Sequence, residues 1–308
     1  MVIRDGKPIF KKTYGCADTD AKTPIDTKTN FRLASVTKQF TAMCIMMLVE
    51  QGGLLYNSSL KEIFPDFPEY GRNITIHHLL HHTSGLIAYE TLIPDTATVQ
   101  VLDRDVLALL MKQDSTYFAP GSSYRYSNSG YAVLAMVVEK ISGKAFALFL
   151  KDNIFDPLGM RNTVAYEKGI STVSRRAFGH TLADSVFTPT DQSMTSAVLG
   201  DGGIYSSVED MFRWDQALYT DRLVSDQTLR KAFTSGTLHD GRQTGYGFGW
   251  NIDEYRGLRR IWHAGSTTGF RSVIQRYPNE KLTVIILANS NVPNLPQLAE
   301  KLTDIFLP

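Results

Sequence analysis

The hydrophobic positions of this chain follow a strand-like period at both ends and a helical period between them. Within residues 1–16, two short runs, Val2-Ile3 and Pro8-Ile9-Phe10, flank the turn residues Asp5-Gly6 and predict a β-hairpin. Phe31-Arg32-Leu33-Ala34 is a short strand-like lead into Ser35. Over 36–51, Phe40, Met43, Cys44, Met47 and Leu48 fall at helix spacing, and Gly52-Gly53 stops the run. Further helices are expected over 76–82, 101–111, 131–141 and 145–154. Ser207-Val208-Glu209-Asp210 is a capping box with Asp in place of Glu, opening a helix through Leu218. The last third reads as strands at 246–252, 258–263, 270–277 and 283–288, with turns at Arg256-Gly257 and Pro278-Asn279-Glu280, and a closing helix over 296–306.

Strands at both ends with helices between predict an α+β protein: an antiparallel sheet flanked by helices and completed by both ends of the chain. The expected division is a body formed by 1–58 and 196–308, with 59–195 as a mostly helical insertion. The chain has 308 residues, 43% hydrophobic and 20% charged, as ordinary globular proteins do. A formal net charge of +1 gives no electrostatic reason to expect nucleic acid or an anionic membrane as partner. The most apolar runs, 40–49 and 282–288, are too short to span a bilayer. Cys16 and Cys44 have no metal-type spacing and make no disulfide framework, and Cys44 reads as an inert core thiol. No signal peptide precedes the opening strand, so the compartment stays open, as does the oligomeric state.

Three short segments carry chemistry. In Ser35-Val36-Thr37-Lys38 the serine and the lysine lie nearly one helical turn apart and share a face. A serine hydroxyl needs a base, and a lysine is a base only when its ammonium pKa is lowered, which burial and a helix N-terminus both do. Ser58-Ser59-Leu60-Lys61 fits the same string, but it lies in a polar connector with no apolar helix behind it and reads as a solvated loop. In Tyr126-Ser127-Asn128, flanked by Gly121 and Gly130, the tyrosine can relay a proton, and the asparagine can hold a substrate carbonyl or orient the lysine. Tyr277-Pro278-Asn279 is its decoy and reads as a hairpin turn. In Trp262-His263-Ala264-Gly265-Ser266, an extended segment with a small Gly can lie beside a substrate and offer a backbone N–H to an oxyanion. His77, His78, His81 and His82 have helical spacing but no suitable acidic partner, so no metal is expected. There is no G-x-S-x-G, P-loop, G-x-G-x-x-G or H-E-x-x-H.

Taken together, these segments resemble the serine β-lactamase and penicillin-binding-protein superfamily, whose signature is S-x-x-K, a Ser or Tyr motif ending in Asn, and K-T-G. The tyrosine at 126 is similar to the class C β-lactamase branch, which also holds D-alanyl-D-alanine carboxypeptidases, D-aminopeptidases and esterases. Leu80-His81-His82-Thr83-Ser84-Gly85-Leu86, Asp201-Gly202-Gly203-Ile204-Tyr205-Ser206-Ser207 and Tyr246-Gly247-Phe248-Gly249-Trp250 look like family segments in family order. The resemblance implies a two-part fold with the site between the parts. It also implies Ser35 as nucleophile, Lys38 and Tyr126 as proton relay, and Asn128, His263, Gly265 and Ser266 around substrate and oxyanion. No cofactor or metal is implied, and the partner is a small acyl substrate. The chain departs from the family in lacking a helix before the first hairpin and in having His-Ala-Gly for K-T-G. His263, with a reference pKa of about 6.5, carries at most about half a charge near neutral pH. Ala264 has no hydroxyl, which weakens recognition of a substrate carboxylate. Short acyl esters are therefore the first expectation, with β-lactams or D-alanyl peptides as alternatives. A non-catalytic acyl-ligand sensor is the reading from another class. The direction of Arg271 stays open.

Overall fold

A computed structural model describes residues 1–307. Its main sheet has six antiparallel strands, in the order Asn251–Tyr255, Leu258–Thr267, Phe270–Tyr277, Leu282–Ala288, Val2–Arg4 and Lys7–Phe10. The amino-terminal hairpin thus closes onto the last strand, with Val2 opposite Val284. Successive side chains of a strand point to opposite faces. Val2, Val273 and Val284 accordingly pack under the helix Leu295–Phe306, through Leu295 and Ala299. Their neighbours Ile3, Ile274 and Ile285 enter the main core, which the helical segments share through Leu107, Val133 and Phe149.

At the centre lies the helix Lys38–Glu50, in which every residue from Lys38 to Leu48 is buried. A helix buried all round needs apolar neighbours on every side, and Asn128–Ser142 supplies one of them. Ahead of the central helix the chain makes a 3-10 turn over Ala34–Thr37.

Several expected elements are displaced. The expected strand over 246–252 forms only from Asn251, because Gly249 takes φ +79° and a Cβ there would lie 2.8 Å from the Gln39 and Lys38 backbone. That segment is pressed against the start of the central helix instead of pairing. The next strand runs on to Thr267, four residues past its expected end. The helix expected from 131 begins at Asn128 under a Ser127 cap. Ser58-Ser59-Leu60-Lys61 is not a solvated loop: Ser59 is buried and caps the helix Leu60–Ile63, with Glu62 closing the capping box. Unforeseen are a three-stranded sheet of Phe31–Arg32, Ile204–Ser206 and Val164–Ala165, and a hairpin of His180–Ala183 with Val186–Pro189.

Candidate active site

The turn that presents Ser35 is built from the strand side. Ala34 has φ 49°, a left-handed value that non-glycine residues seldom adopt and that swings the chain from the Phe31–Arg32 strand into the helix. The Leu33 carbonyl accepts the Ser272 hydroxyl at 2.6 Å, tying this turn to the main sheet. Gly265 lies directly against it: a Cβ there would come within 2.2 Å of the Leu33 oxygen and 2.3 Å of Ser272 Oγ. The strand therefore approaches the backbone before Ser35 more closely than any side chain permits.

Lys38 is fully buried, and its Nζ donates to Asn128 Oδ1 at 2.8 Å, to the Asp201 carbonyl at 2.8 Å and to Ser35 Oγ at 3.3 Å. The ammonium lies 5.0 Å from the centre of the Tyr126 ring and 5.6 Å from that of Tyr131. Burial lowers its pKa to about 8, against the opposing pull of Asp201 and Glu90. At pH 7 roughly a tenth of the lysine is then free amine, far more than for an ordinary lysine.

Tyr126 packs against His82, ring centres 4.3 Å apart and planes tilted by 41°, and leaves 40% of its surface open. Its hydroxyl end is enclosed, and this desolvation holds the phenol above its ordinary pKa although the Ser35 hydroxyl beside it acts the other way. The phenol is thus neutral at neutral pH, and Lys38 is the group of the two whose pKa lies nearer neutrality. Asn128 opens its helix with Oδ1 toward Lys38, and its Nδ2 donates to Glu90 Oε1 at 2.7 Å.

His263 is 3% exposed. Its Nδ1 faces the Ala264 carbonyl at 2.7 Å, which only accepts, so Nδ1 carries the proton and Nε2 accepts from the Tyr246 hydroxyl at 2.9 Å. Burial beside Lys38 lowers its pKa to about 3. The half-charge expected at this position is therefore absent, and the ring is neutral. Gly265 is buried and Ser266 exposed. Arg271 turns away onto its own loop, donating to the carbonyls of Thr267 at 2.9 Å and Phe270 at 2.8 Å.

The four clustered histidines pack as neutral rings. Burial lowers His78 to about pKa 4 and His81 to about 3, and His81 Nδ1 bonds the Tyr246 carbonyl at 2.8 Å. Among the described residues no group of His, Cys, Asp and Glu has the arrangement of a metal site.

Three residues that sequence reasoning did not single out complete the surroundings: Glu90 on Asn128, Asp201 under Lys38, and Tyr89, whose hydroxyl donates to Asp201 Oδ2 at 3.0 Å. Asp201 opens the segment Asp201-Gly202-Gly203-Ile204-Tyr205-Ser206-Ser207, which resembles the family. Nothing local marks Tyr89 or Glu90.

The fold and a serine beside a buried lysine together define a serine hydrolase. The chain belongs to the Beta-lactamase family, whose profile matches residues 1–304. It is 35% identical over 305 residues to Penicillin-binding protein 4* of Bacillus subtilis, covering 94% of this chain and 67% of that protein. It is 28% identical over 293 residues to a D-aminopeptidase of Cereibacter sphaeroides, covering 94% of this chain and 55% of the relative. The chain thus spans between about half and two thirds of these relatives. The octameric penicillin-binding protein homologue of Pyrococcus abyssi superposes with a TM-score of 0.85 at 26% identity, covering 99% of this chain and 72% of the other.

Proposed function

We propose that this chain forms an acyl-enzyme on Ser35 and acts best on amides or short peptides whose acyl residue is a D-amino acid with a free amine. Ser35 Oγ attacks the scissile carbonyl carbon while Lys38 takes its proton. The backbone N–H groups of Ser35 and Ser266 hold the tetrahedral oxyanion. As the C–N bond breaks, the proton passes through Lys38 and the neutral Tyr126 phenol to the leaving amine. Water, activated by the same relay, then hydrolyses the ester on Ser35.

The observation carrying the substrate choice is Glu90: an exposed carboxylate fixed by Asn128, whose amide also touches the base. A carboxylate at this rim attracts an ammonium and repels a carboxylate on the acyl side. The relatives named D-aminopeptidase support the D-configuration. Short acyl esters are a second reading, favoured by the neutral His263 and the methyl of Ala264, which ask nothing of the rest of the substrate.

The test compares kcat/KM for D-alanine p-nitroanilide, its N-acetyl derivative, p-nitrophenyl acetate and a chromogenic cephalosporin, in the parent and in Glu90→Gln. The free amine should exceed the N-acetyl compound at least about tenfold, and Glu90→Gln should narrow that ratio. Turnover of the acetate alone would leave the ester reading standing. A preference for the cephalosporin or the N-acetyl compound would remove the amine reading. Labelling by a fluorophosphonate, read by intact mass, separates the enzyme from a non-catalytic binder.

A further inference from the structure

The partners of Lys38 form a closed circuit. Its Nζ bonds Asn128 Oδ1, Asn128 Nδ2 bonds Glu90, Tyr89 is the next residue along the chain, the Tyr89 hydroxyl bonds Asp201, and the Asp201 carbonyl bonds Nζ again. The segment carrying Tyr89 and Glu90 is pinned to the helix Asn128–Ser142 by Ser129, whose Oγ accepts the Tyr89 N–H at 2.9 Å and donates to the Ile87 carbonyl at 2.7 Å. The backbone around Asp201 is equally fixed. Asp103 accepts the N–H groups of Leu199 and Gly200 at 2.8 and 2.9 Å, and Thr41 donates to the Gly200 carbonyl at 2.7 Å.

The arms of this circuit have a directional consequence. Asn128 Oδ1 and the Asp201 carbonyl can only accept, so each takes one N–H of the lysine. A neutral amine has just two. With both engaged, its lone pair occupies the third direction, toward Ser35 Oγ at 3.3 Å.

Apart from Asp201 and Glu90, the groups facing Lys38 from other elements are uncharged. Tyr126 and Tyr131 present ring faces, and His82 and His263 are kept neutral by burial. The carboxylates of Asp201 and Glu90 are the charges that raise its pKa, and Asp201, at about pKa 6, is ionised at neutral pH.

We propose that Asp201 and Glu90, joined through Tyr89, are paired positioning residues that aim the Lys38 amine at Ser35 and set how much of it is free base at neutral pH. This rests on the reading of Lys38 as the base. Each carboxylate favours the ammonium, so removing either charge should free the amine at lower pH.

The experiment is the pH profile of kcat/KM from pH 5.5 to 10 with p-nitrophenyl acetate, which carries no amine for Glu90 to read. Asp201→Asn keeps an acceptor for Tyr89 and should move the ascending limb down by about one pH unit. Glu90→Gln should move it the same way by less, because solvent screens that exposed charge. A merely structural role would lower the plateau and the melting temperature and leave the limb in place. Limbs unmoved or shifted upward in both variants overturn the proposal. Should Asp201→Asn not fold, the exposed Glu90→Gln decides alone. A parent-like limb in Lys38→Ala would instead sink the reading on which the proposal rests.

Discussion

Lys38 has no side-chain carboxylate among its three hydrogen-bond partners, only an amide oxygen, a backbone carbonyl and a serine hydroxyl. A lysine held by neutral acceptors in a dry site gives up its proton more readily than one in an ion pair. Ser35, and not Ser58, is the serine this lysine faces, at 3.3 Å. Ser35→Ala should abolish turnover of an activated ester, whereas Ser58→Ala should leave it within about twofold, since Ser58 serves a turn at Leu55. Near-parent turnover in Ser35→Ala would refute the assignment. Lys38 and Tyr126 both approach Ser35; acting as the one relay proposed above, their losses should not add. Lys38→Ala and Tyr126→Phe should each cost several orders of magnitude in kcat, and the double variant little more. Fully additive losses would place them in separate steps. The Ser35/Lys38 pair was legible in the sequence because three residues on a helix is a local geometry. Glu90 and Asp201 were not, because Tyr89 and Asp201 meet across 112 residues of chain.

At the scale of elements, the site depends on how closely the strand Leu258–Thr267 can lie against the Ser35 turn. Gly265→Ala would place a methyl inside the Leu33 carbonyl, which is backbone, and the Ser272 hydroxyl, which can turn aside only by giving up its bond to that carbonyl. The strand must retreat and take the Ser266 N–H with it. A fall in kcat of about a hundredfold is expected, from the loss of one oxyanion donor. The melting temperature should fall as well. An unchanged kcat would show that the Ser266 N–H holds no oxyanion. The sequence marked Gly265 as a place for close approach but could not say what approached. It placed most helices well, because their apolar periodicity is local. It misplaced the strand at 246–252, where packing of Gly249 against Lys38 and Gln39 prevents pairing.

Across the whole molecule, one buried ion pair ties the sheet to a helix of the body. Arg276, on the strand Phe270–Tyr277, donates to Asp215 on the helix Val208–Ala217 at 2.7 Å, with both side chains 1% exposed, and Thr283 adds a bond of 2.9 Å. Replacing such a pair by apolar groups is often harmless, but removing one partner strands a buried charge. Asp215→Ala should lose about 3–5 kcal/mol in urea unfolding, while the pH profile of the folded remainder keeps the parent's shape. A loss within about 0.5 kcal/mol would mean that water replaces the carboxylate. The sequence by itself determined the strand and helix periodicities and the one-turn spacing of Ser35 and Lys38, all properties of short stretches of backbone. Only the tertiary structure decided that His263 is neutral, that Arg271 points away, and that Glu90, Tyr89 and Asp201 encircle Lys38. Burial and hydrogen bonding between distant segments set the charge and direction of a side chain, and neither is written in its neighbours along the chain.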